Sequence, residues 1–238
     1  MKAIQMSFMQ MMTTVKKDMM LFMVCLIPLL SGLFFKFVIP LSERFLISQF
    51  SSTSVLSPYY GLFDVFFAML APIMFCFVSA LVILEEMDDH IAGYLFVTPL
   101  GKRGYLFSRV GIPAILAFTV SALLLPVFKL TEISFFNIVL LSFSGTVQGI
   151  IIAMLIVTFS TNKLEGMAVA KLSSLLTFGL IGPFFLKGAI QYLLSPLPSF
   201  WAAKAIHENK PVYYLIAFIV SAFWFLGLKK GFSKKTDR

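Results

Sequence analysis

The sequence predicts an all-α, polytopic membrane protein: one transmembrane domain over 1–238 with six spanning helices. Three observations carry that prediction. The chain is 59% hydrophobic and only 13% charged, with 28 Phe and 13 Met in 238 residues, a balance typical of integral membrane proteins and foreign to water-soluble globules. Several apolar runs reach the roughly 20 residues that a helix needs to cross about 30 Å of hydrocarbon. The alternating strands of about ten residues that build a transmembrane barrel are absent. Lipid offers backbone amides no partner, so each run is expected to be helical.

Taken in order, residues 1–18 place Ile4, Phe8, Met11, Met12 and Val15 at helical spacing and close on Lys16 and Lys17. That is the pattern of an amphipathic helix lying in the membrane interface. The first strong apolar run begins late, is of span length and lacks a small-x-small site after it, so a retained span is expected rather than a cleaved signal. Spans are expected at Met19–Ile39, Gly61–Leu84, Val110–Phe128, Phe135–Ser160, Met167–Phe185 and Val212–Leu228. Gly179, Gly182 and Pro183 should kink or end the fifth. Residues 186–211 are too apolar for an ordinary exterior loop and too interrupted by Pro196 and Pro198 for one straight helix. A re-entrant or interface-lying helical pair is expected there, with Tyr192 and Trp201 at headgroup depth. The basic tail, 229–238, reads as a stop-transfer anchor.

With both termini in the cytosol, 13 of the 19 basic residues fall on the inner side, which the positive-inside rule favours for a multi-pass protein of the cell membrane. The net charge of +8 is spread over span ends rather than along one face, so it marks contact with membrane lipid and not with nucleic acid. Cys25 and Cys76 lie inside apolar runs and suggest neither a disulfide framework nor a metal site. His90 and His207 fall on opposite sides of the membrane in this topology, HExxH is absent, and Ser144 sits in Ser-x-Ser-Gly-Thr, which is no nucleophile elbow. No catalytic or metal-binding residue is assigned.

The segment 85–109 interrupts the apolar pattern with Glu85, Glu86, Asp88 and Asp89, then FVTPLGKRGYLFSR. In this topology it faces the cytosol. Asp88 or Asp89 is expected to cap a short helix, and acidic groups there complement the positive end of its dipole. Ile91, Tyr94 and Leu95 fall at i, i+3 and i+4 and form an apolar ridge. Thr98–Pro99 supplies a second helix start, a capping hydroxyl followed by proline at the first position. Within the spans, Asp64 has three placements open to it: facing a translocation cavity, pairing with a base, or snorkelling to the interface. Ser142, Ser144, Thr146 and Gln148 form either a polar path or, with Gly145 and Gly149, a close-packing face.

EEMDDHIAGYLFVTPLGKRGYLFSR resembles the cytosolic loop of ABC-2 type exporter permeases, with Leu95, Thr98, Pro99, Leu100, Tyr105, Leu106 and Arg109 matching its core in order. The family pattern also has an interfacial N-terminal helix, six spans and a broken exterior segment before the sixth. Asp88-Asp89-His90 stands where many members carry Glu-Gly or Glu-x-Gly. The resemblance implies the permease subunit of an exporter for a drug, antibiotic, peptide or lipid-like amphipathic substrate. The chain has no Gly-x-x-x-x-Gly-Lys-Ser/Thr loop, so no cofactor is expected on it. The resemblance places ATP and Mg on a separate ABC ATPase, two copies per assembly, alongside a second permease copy or a related permease. The ATPase-coupling interface is then expected to comprise Glu85, Glu86, Asp88, Asp89, Ile91, Tyr94, Leu95, Thr98 and Pro99, and the candidate pathway Asp64, Ser144 and Gln148. The alternative from another class is a secondary transporter or channel working without an ATPase.

Overall fold

The computed structural model describes residues 2–50 and 54–236. Among the described residues every regular element is helical. Helices α1 (Lys2–Lys17) and α2 (Met19–Phe50) precede α3 (Tyr60–Asp88). Two short helices, α4 (Ile91–Phe96) and α5 (Gly101–Leu106), lead through a wide turn at Phe107–Gly111 into α6 (Ile112–Phe128). Then come α7 (Phe135–Phe159), α8 (Lys163–Ser173), a 3-10 stretch Ser174–Ile181, and α9 (Gly182–Phe185). A second 3-10 stretch, Gly188–Leu194, and α10 (Pro198–His207) cross to α11 (Val212–Thr236).

Six stretches are long and apolar enough to cross a membrane: Met19–Gln49, Ser57–Asp88, Gly101–Phe128, Phe135–Phe159, Lys163–Phe185 and Val212–Lys235. The chain is a multi-pass membrane protein. Large apolar side chains such as Leu30, Phe34, Phe37 and Leu41 point outward along α2, as lipid-facing residues must.

Three boundaries differ from expectation by more than four residues. The first span runs past Ile39 through Pro40, because Glu43 does not end it: its carboxylate folds back to accept the N–H groups of Val55 (3.0 Å) and Leu56 (2.6 Å) and the Ser57 hydroxyl (2.8 Å). The third begins at Gly101 rather than Val110, because the charge of Arg109 is neutralised inside the protein, as described below. The last continues through most of the basic tail. Met1 of the expected first helix, and Asp237 and Arg238 of the tail, lie outside the described residues.

α3 and α7 form the centre of the bundle and are its most buried spans. Packing between helices in lipid gains nothing from excluding water, so backbones must approach closely. Gly145 and Gly149 permit that: a Cβ on Gly149 would stand 2.8 Å from the Pro72 carbonyl oxygen, and one on Gly145 3.0 Å from that of Ala68. Pro72 has no N–H to offer the Ala68 carbonyl one turn earlier. Ser121 of α6 donates to that carbonyl at 2.8 Å and lies 3.2 Å from the Ser142 hydroxyl of α7. The polar atoms of Ser121 and Ser142 thus repair a proline-broken helix where three spans meet. In the fifth span the kink expected near Gly179 appears as the 3-10 stretch, and a Cβ on Gly179 would come 2.7 Å from the Phe200 amide of α10.

Because consecutive spans alternate in direction, the starts of α2, α5 and α8 and the ends of α3, α7 and α11 share one end of the bundle. Helices α1 and α4 lie there, and it is called the near end. The far end carries residues 186–211, the helical pair expected ahead of the sixth span.

Candidate functional site

At the near end, the chain between α3 and α6 forms a projecting handle. Its construction differs from the expectation that Asp88 or Asp89 caps the first short helix and Thr98–Pro99 starts the second. Asp88 closes α3, and the Asp89 N–H still bonds back to the Glu85 carbonyl (3.0 Å), so neither aspartate caps α4. The reversal is made by His90 in a left-handed conformation, φ 58°, one of the residue types that tolerates it. The Thr98 hydroxyl donates to the Leu95 carbonyl (2.7 Å) and accepts from the Leu100 N–H (3.3 Å), punctuating two short helices rather than starting one. Gly101, at φ 63°, then turns into α5, a conformation that costs glycine little.

The apolar ridge exists with a shifted membership. Ile91 is 37% exposed, Tyr94 73% and Val97 86%, while Leu95 is half-buried. Spacing by i, i+3 and i+6 stays on one face only for a short stretch, which is all α4 offers. Asp88, Asp89, Thr98 and Pro99 are exposed around the ridge.

Beneath the handle lies a buried brace. The Arg109 guanidinium, wholly enclosed, makes a two-pronged pair with Glu86: Nε donates to Oε2 at 2.8 Å and Nη2 to Oε1 at 2.6 Å. Tyr105 donates its hydroxyl to the same carboxylate at 2.9 Å. Nη1 donates to the Ser7 carbonyl of α1 at 2.7 Å, and Ser79 of α3 donates to the Arg109 backbone carbonyl. The fork geometry of arginine suits this bidentate grip. The wide turn makes it reachable: the Ile112 N–H bonds to the Phe107 carbonyl five residues back, so one residue more than usual is wound in. Glu86 is thereby internal and not part of the projecting surface. Glu85 faces sideways, where Lys163 bridges it (2.9 Å) to Asp18 (2.5 Å). Asp18 in turn caps α2 through the N–H groups of Met20 and Leu21, and the hydrogen bond from Lys163 holds its carboxyl below the usual value.

A groove of about 440 Å³ opens between α2 and α8. Its floor is one face of α3, including Phe66, Met69, Ile73 and Phe77; Met20 and Val24 close one side, and Met167, Lys171, Ser174 and Thr177 form the other. A family model described as "Fluoroquinolones export permease protein Rv2686c-like" matches residues 11–228. The chain belongs to this family of export permeases. Searches against curated proteins and against solved structures return no match.

The permease does not bring its three sequence-nominated pathway residues to the groove. Asp64 is 2% exposed and holds the connection between α6 and α7, accepting from the N–H groups of Leu130 (2.7 Å) and Thr131 (2.8 Å) and from the Thr131 hydroxyl (2.5 Å). Gln148 donates to the Leu176 carbonyl (3.3 Å) in the 3-10 stretch, and Ser144 is buried against neighbouring spans. Sequence reading missed Val97, because the ridge was counted within one helical turn. It missed Ser7 because a polar residue on an amphipathic helix is ordinarily assigned to water. A detectable signal did exist for the brace: a glutamate at the end of one span and an arginine at the start of the next lie at matching depth.

Proposed function

We propose that this permease is the membrane subunit of an ABC-2 type exporter, driven by a separate ABC ATPase present in two copies that carries the ATP and Mg. The observation that supports this reading most directly is the handle: exposed Ile91, Tyr94 and Val97 on a stub whose root is fixed by Arg109 and Glu86. An exposed apolar ridge is a partner surface, and a buried charge pair tying α1, α3 and the third span converts a push on that ridge into movement of whole helices. The near end is cytosolic in this reading. A second permease copy, or a related permease, completes the pathway. The cargo is an amphipathic, drug-sized organic molecule, the class to which the fluoroquinolones of the family description belong. The ion-coupled alternative is weakened because the buried carboxylates of the second span, Asp64 and Glu86, are both engaged in holding the fold.

The test is copurification with the ATPase. Tyr94→Asp or Val97→Asp is expected to leave melting within about 0.5 kcal/mol of wild type, as surface changes do, while abolishing copurification and the ATP hydrolysis the permease stimulates. Wild-type behaviour in both would refute the handle. Separately, Lys102→Cys is expected to react with impermeant maleimide only from the cytosolic face; labelling from outside would reverse the topology.

A further inference from the structure

A second groove, of about 650 Å³, runs between the fifth and sixth spans. Leu155 and Phe159 of α7 form its floor, Val169 and Leu172 of α8 one wall, and Trp224 of α11 the other. The polar side chains in its lining have no donor to spare: the Ser173 hydroxyl donates to the Val169 carbonyl (2.9 Å) and the Trp224 indole N–H to that of Pro196 (2.9 Å). The interior suits hydrocarbon rather than a polar solute. The groove is also stopped at its far end, where Leu194 and Leu197 line it. The turn that carries them bridges the two walls: Trp224 holds Pro196, and a Cβ on Gly179 would stand 3.0 Å from that of Leu197.

Opposite charges frame the near-end mouth. Glu165 lies one turn before Val169 on α8, and Lys235 lies three turns beyond Trp224 on the face of α11 that runs through Leu228 and Gly231. That face is set against α7, since a Cβ on Gly231 would stand 2.7 Å from the Thr158 methyl. The two charges are within electrostatic reach of each other, yet among the ion pairs of the described residues none joins them. Glu165 Oε2 accepts the Thr161 N–H (2.7 Å) and hydroxyl (2.6 Å), which leaves Oε1 to an outside donor.

We propose that this groove binds a phospholipid of the near-end leaflet that carries a primary ammonium headgroup. One acyl chain lies in the groove, the phosphate meets Lys235 and the ammonium donates to Glu165 Oε1. Glu165 and Gly179 are 14 residues apart, about 21 Å at the helical rise. That exceeds one leaflet of a hydrocarbon core about 30 Å thick and falls short of the whole. An acyl chain therefore reaches the stop, whereas a spanning helix of a second copy cannot pass it. An anionic headgroup would set phosphate beside Glu165 with no cation between them, and a choline has no N–H to donate.

Tryptophan quenching in phosphatidylcholine vesicles tests this on the full chain. The chain has two tryptophans, and Trp201→Phe leaves Trp224 in the groove wall as the reporter. Phospholipids brominated along the acyl chain, which quench an indole on contact, are titrated in as the ethanolamine, choline or glycerol headgroup. The ethanolamine lipid is expected to reach half-quenching at about threefold lower mole fraction than the choline lipid, the weight of one exposed ion pair. Glu165→Gln should abolish that preference. Lys235→Ala should weaken both lipids about fivefold, the weight of one lysine at a membrane surface, and Val169→Phe, which fills the groove, should weaken both more. Melting curves confirm folding, and the wild-type chain compared with Trp224→Phe gives the same reading should Trp201→Phe not fold. Equal quenching by ethanolamine and choline lipids, stronger quenching by the glycerol lipid, or insensitivity to Lys235→Ala or Val169→Phe would overturn the proposal. So would a disulfide between copies through Leu172→Cys, which would identify a permease–permease contact. Neither nucleotide nor ATPase enters the measurement, so failure here leaves the exporter reading standing.

Discussion

The two ends of the bundle hold their buried charges in different ways. At the far end the two buried carboxylates meet backbone: Glu43 gathers the N–H groups of Val55 and Leu56, and Asp64 those of Leu130 and Thr131, while the buried cation there, Lys204, finds Glu208 one helical turn on (3.5 Å) and the Tyr192 hydroxyl (2.6 Å). Glu43 clamps the connection that follows its own helix, and Asp64 the one between α6 and α7. At the near end, carboxylates meet cations from distant elements: Glu86 meets Arg109, and Asp18 and Glu85 meet Lys163. Clamped loops keep a surface closed, whereas cross-helix ion pairs make separate helices move together. On the exporter reading proposed above, the near end is the one that receives the push.

Breaking the near-end brace should have the largest effect. Arg109→Met leaves Glu86 buried without its partner and is expected to cost about 3–5 kcal/mol, seen as a large fall in melting temperature and yield of purified protein. Glu86→Met with Arg109→Met should recover much of that stability while uncoupling ATP hydrolysis from transport, since packing returns but the fixed link to Ser7 does not. At the far end, Asp64→Ala should cost about 1–3 kcal/mol, the penalty of unpaired buried amides, with ATPase copurification intact. If Asp64→Ala also released the ATPase, the division between the two ends would fail. The smallest effect belongs to Lys163, whose pairs are partly exposed: Lys163→Gln is expected to cost at most about 1 kcal/mol. The pH dependence has a definite sign. The Asp18 carboxyl is held below its ordinary value by Lys163, so its contribution is complete above about pH 3.9 and is lost as pH falls through the depressed value. In Lys163→Gln that acid-range loss should largely disappear from melting curves.

Most of the architecture was legible because lipid permits so few solutions. Runs such as Phe135–Phe159 can only be helices, and the Gly145/Gly149 pair pointed to close packing, which the structure bears out. Span ends were less legible, since Glu43 and Arg109 resemble termination signals until their partners are known. Those partners are long-range: Glu43 meets backbone beyond the end of its helix, and Arg109 meets Ser7 across 102 positions of sequence. Within the handle, the ridge could be read from Ile91 and Tyr94, whereas the left-handed His90 could not be, because nothing in Asp88-Asp89-His90 states which residue will turn the chain. The groove was invisible for a different reason. Its walls come from α2, α3, α7 and α8, and Lys171 reads in sequence as one more positive charge near a span end.

The wide turn at Phe107–Gly111 has a consequence for how tolerant the chain is of length changes. Each residue advances an α-helix by about 100°, so the extra one wound in there sets the azimuth of everything before it relative to the third crossing. Deleting a single residue from that turn would leave six hydrophobic crossings intact yet swing Tyr94 to another bearing. The bearing is set by chain length there, so no compensating side chain elsewhere could restore it.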